Sequence, residues 1–184
     1  PLAYNLGIAL AAFWEETALE HAGTRWEKTV AIGIDARASG RPLALALSQG
    51  FIDSGWNPAY LGTVPTPVLY FATVEATSQF GVMITGSHNP KEYNGFKMAF
   101  KGGTLSSEEI DWLQNFIVRN KRPYAERSFT LEVHNVDERY IQWLSDQYKA
   151  NSPHDTRKLK IVVDFGNGSG GPTAMRVFKN TKHD

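Results

Sequence analysis

The sequence predicts an α/β fold: a mixed, mostly parallel sheet sandwiched between helices, followed by the first βα unit of a similar second domain. Short apolar, β-branched runs alternate with amphipathic stretches of helical length along the whole chain. One run, Phe80 to Ile84, is almost wholly apolar, the pattern of a strand covered on both faces. The pattern loosens through Asn120-Lys121-Arg122-Pro123, and the polar, proline-containing stretch Asn151-Ser152-Pro153-His154-Asp155 is the best boundary in the chain. The domains are accordingly expected at 1–155 and 156–184.

The first element is a helix from Ala3 to about Ala22. Leu6, Ile8, Leu10, Phe13 and Trp14 form its apolar stripe, and Glu15, Glu16 and Glu20 face outward. It begins without a cap or a preceding strand, so an upstream segment is expected. Thr29 to Ile34 reads as a buried strand, Asp35 to Gly40 as a loop, and Arg41 to about Ser54 as a helix with Pro42 at its start. Pro58-Ala59-Tyr60-Leu61 is expected as a short strand and Gly62-Thr63-Val64-Pro65 as a turn. Thr66 then caps a helix that runs to about Ala76, with Pro67 in its first position. After the apolar strand Phe80–Ile84, residues Thr85 to Gly95 are polar and turn-rich, and Phe96 to Phe100 form another strand. Ser106 and Glu109 have capping-box spacing ahead of Ile110, Leu113 and Ile117. Thr130 to Val133 reads as a strand, and Asn135 with Glu138 caps a helix bearing Tyr140, Ile141, Leu144 and Tyr148. Leu159 to Asp164 is a further expected strand, followed by a glycine-rich loop and a helix opened by Pro172.

Composition excludes several function classes. Lys and Arg total 19 against 19 Asp and Glu, leaving no cationic surplus for nucleic acid or an acidic membrane surface. Cysteine is absent, which removes disulfides, thiolate metal ligands and cysteine nucleophiles together. No apolar run approaches the roughly 20 residues that span a bilayer, and the first residues carry no basic segment of a secretory signal. A soluble, cytoplasmic protein is expected.

The chemistry concentrates in Thr85-Gly86-Ser87-His88-Asn89-Pro90, just beyond the apolar strand, where open α/β sheets collect reactive groups. Gly86 permits close backbone approach, and Ser87 sits on a tight loop whose backbone N–H groups suit an anion. The plain alternative is a polar turn whose side chains satisfy local backbone groups. Ser87 does not sit in a G-x-S-x-G elbow, because Asn89 stands two residues later. Lys97, at the start of the next strand, is placed to neutralise a phosphate or to move a proton; a solvated edge-strand lysine is the alternative. Arg37 also follows a strand, and offers either a bidentate fork for a phosphate or an ion pair with Asp35. Gly166, Gly168 and Gly171 fit G-x-G-x-x-G between an expected strand and helix, the context of a dinucleotide loop.

Thr85-Gly86-Ser87-His88-Asn89-Pro90 followed by Tyr93-Asn94-Gly95-Phe96-Lys97 resembles the phosphoserine loop of the α-D-phosphohexomutases. Within that superfamily the chain is most similar to the bacterial phosphomannomutase/phosphoglucomutase branch. Gly33 to Gly40, Gly62 to Pro67 and Val162 to Gly168 resemble further stretches of it. The resemblance implies the N-terminal portion of an enzyme that interconverts hexose 1-phosphate and hexose 6-phosphate. In such an enzyme phosphorylated Ser87 donates its phosphoryl group, and hexose 1,6-bisphosphate is the intermediate. It implies that His88 and Lys97 touch the substrate or assist proton transfer, that Thr85, Gly86 and Asn89 shape the loop and Arg37 supports it, and that Mg²⁺ is the cofactor. Segments resembling Y-D-I-R-G, D-G-D-G-D-R, G-E-M-S-G and the C-terminal phosphate loop are not found in the 184 residues. Ser87 would then supply one metal ligand, through its phosphate, and this polypeptide alone is expected to be inactive. Two other readings stand beside it: a non-catalytic sugar-phosphate-binding module, and a dinucleotide-binding oxidoreductase fragment resting on the glycine loop.

Overall fold

The computed structural model describes residues 1–20, 27–75, 78–100, 103–151 and 158–181. Its centre is a five-stranded sheet of β1 (Thr29–Ile34), β2 (Asn57–Thr63), β3 (Phe80–Ile84), β4 (Phe96–Phe100) and β5 (Gly103–Thr104), in the order β2-β1-β3-β4-β5. β1 pairs parallel with β2 and β3, and β3–β4 and β4–β5 pair antiparallel, so the sheet is mixed. Helices α1 (Leu2–Glu20), α2 (Gly40–Asp53) and α4 (Ser107–Arg119) cover one face, while α3 (Thr66–Val74) and α5 (Asp137–Asn151) lie on the other. Strand residues divide accordingly. Val30, Ile32, Phe80, Val82 and Ile84 join the first core, and Ala31, Leu61 and Met83 join the second. Chain direction leaves β1 for β2 on one side and returns to β3 on the other. The loops after β1 and β3 therefore meet at a topological switch point, the place where open α/β sheets bind ligands.

The first core is built around Trp14, which stacks on Phe51 at 5.8 Å and lies 4.8 Å from the ring of Phe80. Beside it, α1 and α2 cross closely enough that only glycine fits. A Cβ on Gly50 would lie 2.1 Å from the Tyr4 carbonyl oxygen, and one on Gly7 2.4 Å from that of Leu47. At the α2 C-terminus, Tyr4 Oη donates to Asp53 at 2.8 Å, and Arg127 pairs with the other carboxylate oxygen. Burial pushes the Asp53 carboxyl upward, but the hydrogen bonds from Arg127 and Tyr4 and the charges of Arg127 and Arg122 outweigh it, leaving it below the usual carboxylate range. A carboxyl depressed by folding stabilises the fold fully above its unfolded value of about 4, and that contribution disappears as pH falls through the folded value. The stability difference between the natural chain and Asp53→Asn should thus shrink on acidification below about pH 4. Urea titrations at neutral and acid pH check this; a difference that does not change with pH would refute it.

Several boundaries depart from the sequence reading. α1 is described to Glu20; Ala22 lies outside the described residues, as do residues 152–157 of the expected domain junction. α2 begins at Gly40, with Pro42 third, because Ser39 already occupies the cap position. β2 continues through Gly62 and Thr63 rather than turning. A register shift between Ile32 and Gly33 and a φ of 77° at Gly62 let the pairing with β1 proceed. Pro65, extended at ψ 150°, is the cap of α3 in place of Thr66, and puts Pro67 second.

The capping box of α4 is present as expected: the Ser106 hydroxyl accepts from Glu109 N, and the Glu109 carboxylate from Ser106 N. The pair proposed for α5 is not, since Glu138 and Asp137 engage Arg176 instead. Of the expected strand Thr130–Val133, only Val133 bridges to β2, at Tyr60. Leu159 to Asp164 forms no strand, and Leu159, Val162 and Val163 are exposed. Helix α6 (Gly170–Lys179) follows, with Ser169 as cap and Pro172 third, and packs on α5. Among the described residues no helix is long and apolar enough to cross a membrane.

Candidate active site

A cleft of about 890 Å³ opens at the carboxyl ends of β1 and β3. Its walls are Asp35 to Ala38 after β1, parts of the loop from Thr85 to Glu92 after β3, and Gly166 to Ser169 at the start of α6. Ser87 stands on this wall, exposed, with a φ of 52° that side-chain-bearing residues seldom adopt. Its N–H donates to Thr85 Oγ1 at 2.9 Å, and Asn89 N–H closes the turn on the Gly86 carbonyl at 3.0 Å.

One side chain organises the loop. Arg37 donates through Nε to Asp35 Oδ2 at 3.0 Å, through Nη1 to the carbonyls of Pro90 (2.5 Å) and Tyr93 (3.1 Å), and through Nη2 to those of Ser87 (3.1 Å) and Asn89 (2.7 Å). Those five acceptors match the five N–H donors of a guanidinium. Asp35 also accepts from Arg37 N at 3.0 Å and from Gly86 N at 3.3 Å. Gly86 is buried flat on the guanidinium: a Cβ there would lie 2.5 Å from Arg37 Cζ and 2.7 Å from the Tyr93 oxygen. A second tie runs from Asn94 Nδ2 to Ser39 Oγ at 3.0 Å, joining the loop to the cap of α2. Ser39 gives α2 no side-chain cap, its backbone being already helical at φ −75° and ψ −11°.

Measured against the sequence reading, Arg37, Thr85, Ser87 and Asn89 converge on one cleft, and Gly86 lies beneath them. His88 and Lys97 are exposed and do not line it; Lys97 sits on β4 opposite Met83. The phosphate fork offered for Arg37 is corrected, because its donors are already engaged by the protein. Of the loop N–H groups expected to cradle an anion, those of Gly86, Ser87 and Asn89 are bonded within the site. The ion pair offered for Arg37 with Asp35 is the one that forms; sequence reasoning missed the Asp35 bond to the Gly86 N–H, Lys91 and Glu92 as lining residues, and the glycine loop as the opposite wall. In that loop Gly166 and Asn167 both have positive φ, 52° and 57°. The glycines there thus serve a tight turn against the cleft, and no strand precedes them as a dinucleotide fingerprint requires.

Among the described residues no three His, Asp or Glu side chains converge, and Asp35 is already held by three N–H donors. A hard divalent cation takes about six oxygens. This donor set does not by itself fit the ion.

A family model described as phosphoglucomutase/phosphomannomutase, alpha/beta/alpha domain I, matches residues 1–123. The chain belongs to the phosphoglucomutase/phosphomannomutase family. A phosphomannomutase/phosphoglucomutase of Pseudomonas syringae is 41% identical over 153 residues, covering 83% of this chain and 31% of that protein. A phosphoglucomutase of Neisseria meningitidis is 38% identical over 177 residues, or 96% of this chain and 36% of its own length. The crystal structure of a phosphoglucomutase/phosphomannomutase family protein from Burkholderia thailandensis superimposes with a TM-score of 0.77 at 31% identity, covering 100% of this chain and 38% of that one. The chain therefore spans about a third of the length of these relatives. Membership in this phosphomutase family removes the oxidoreductase reading, and the mixed α/β sheet agrees with the fold expected.

Proposed function

We propose that Ser87 carries a phosphoryl group to and from a hexose phosphate, within a longer phosphomannomutase/phosphoglucomutase that uses hexose 1,6-bisphosphate as its intermediate. The observation that carries this reading is the presentation of the Ser87 hydroxyl, exposed on a loop pinned by Arg37, at the switch point of the sheet. In the forward step a sugar hydroxyl attacks the phosphorus of phosphoserine. The new P–O bond to sugar forms, the P–Oγ bond breaks, and the proton lost by the sugar is balanced by one gained at Ser87 Oγ. After the bisphosphate turns over, Oγ attacks the other phosphorus and the same bonds exchange in reverse. Such transfers pass through a loose, charge-rich state in which positioning and electrostatics dominate.

His88 and Lys97 are proposed as the proton-handling and substrate-contacting groups, reached when substrate occupies the cleft; apo geometry of such groups is commonly open. Lys91, on the cleft wall, adds a cation toward the phosphate. Residues 1–155 are proposed as the phosphoserine domain and 156–184 as the start of the next. The Mg²⁺ of the proposed enzyme would need ligands besides Ser87, and no step above passes through it. Incubating the full-length protein with hexose 1,6-bisphosphate and mapping the product by mass spectrometry tests the reading. A phosphate adduct is expected at Ser87, and none there, or one at another residue, overturns it.

A further inference from the structure

We propose that Asp35 and Arg37 form a positioning pair that holds Ser87 ready for transfer while binding no phosphate themselves; this rests on the reading of Ser87 as the phosphoryl carrier. The Arg37 guanidinium reaches four carbonyls, of residues 87, 89, 90 and 93, and one carboxylate oxygen, with nothing left to offer a ligand. A flat fork of five donors is peculiar to arginine; lysine has three on a single atom and cannot reach acceptors spread around a plane. The loop is in effect wrapped around this cation, with Gly86 lying against its face.

Ser87 makes the consequence specific. Its left-handed φ of 52° is unfavourable for a residue with a Cβ, so some neighbouring contact must hold it. Arg37 Nη2 bonds the carbonyls of Ser87 and Asn89 on either side of His88. Asp35 fixes the N–H of Gly86, just before the strained residue. The pair thus clamps the backbone immediately before and after the hydroxyl. Asp35 in turn orients Arg37 through both its Nε and its own backbone N–H. Both side chains are largely withdrawn from solvent, at 13% and 15% exposure, so the ion pair is weakly screened.

Charge and shape can be separated experimentally. In the full-length protein, Arg37→Ala should slow phosphoryl uptake at Ser87 from hexose 1,6-bisphosphate by about 10²-fold or more, the scale of a misplaced reacting group, with little change in KM for the hexose phosphate. Arg37→Lys, which keeps the charge, should remain as slow. Ethylguanidinium, which replaces the atoms removed by Arg37→Ala, should restore most of the loss. Amide hydrogen exchange supplies a readout independent of chemistry: residues 86–93 should lose protection in Arg37→Ala and regain it with ethylguanidinium, while β1 and β3 stay protected. Wild-type rates in Arg37→Lys, or a slow Arg37→Ala with unaltered exchange and a KM raised in proportion, would overturn the proposal and make Arg37 a phosphate ligand. If Ser87 of the natural protein takes up no phosphoryl group, the function reading fails, while the exchange data and their rescue still decide on the pair.

Discussion

A Ser87→Ala protein is expected to take up no phosphoryl group from hexose 1,6-bisphosphate and to lose turnover by at least about 10⁴-fold, the scale seen when a nucleophile is removed outright. Thr85 also lines the cleft, but it is half-buried and its hydroxyl accepts from the Ser87 N–H, so it is held in the turn while Ser87 is exposed. The adduct should therefore vanish and not migrate. Folding should hardly change. The Ser87 side chain is exposed, and its hydroxyl makes no hydrogen bond among the described residues, where the loop contacts of residue 87 run through its backbone. A stability change within about 0.5 kcal/mol is expected. Measuring adduct, turnover and denaturant midpoint on one preparation separates the two effects. Phosphate retained at another residue, or substantial turnover without any adduct, would remove Ser87 from the centre of the mechanism.

Gly50→Ala should be the most damaging small substitution in the core. Helix propensity favours alanine over an interior glycine by about 1 kcal/mol, which alone would stabilise α2. Sterics oppose it: the added Cβ would stand 2.1 Å from the Tyr4 carbonyl oxygen, 3.1 Å from Gly7 Cα and 3.1 Å from Ile8 N. All three are backbone atoms, so no rotamer change relieves the contact and α1 must move off α2. That displacement loosens the packing of Trp14 on Phe51. A net loss above about 3 kcal/mol is expected, lowering the melting temperature by roughly 6–12 °C for a chain of this size. Gly55→Ala is the contrast, because nothing lies within 4 Å of its Cβ position and only its φ of 79° resists alanine. Its cost should be near 1 kcal/mol. Equal losses in the two variants would show that helix contact is not what selects glycine at position 50.

The sheet was legible because burial writes itself into composition. Thr29–Ile34, Phe80–Ile84 and Phe96–Phe100 appear as strands with the bounds read from the sequence. Where the reading failed, the deciding partner lay far along the chain. Glu138 looked like a capping residue until α6 brought Arg176 to it, and Thr130–Val133 looked like a strand although β2 offers it one bridge. Leu159–Asp164 has strand composition yet is not a strand, because composition does not itself fix a ladder. The site shows the same split. Thr85, Ser87 and Asn89 were visible as a cluster, lying within five residues; the resemblance implied that Arg37 supports the loop, but which acceptors it binds required knowing that residues 87 to 93 fold back over it.

The order of amino acids, taken alone, determined the α/β class, the three strands Thr29–Ile34, Phe80–Ile84 and Phe96–Phe100, the motif around Ser87 and the family that motif resembles. These are properties of residues near one another in sequence, where hydrophobic period and turn chemistry act over a few positions. Only the tertiary structure decided that Arg37 binds loop carbonyls in place of phosphate, that Asp35 anchors the loop, and that Gly166 to Ser169 form the opposite wall. A guanidinium has donors for either partner. Which it takes depends on which acceptors the folded chain delivers within about 3 Å.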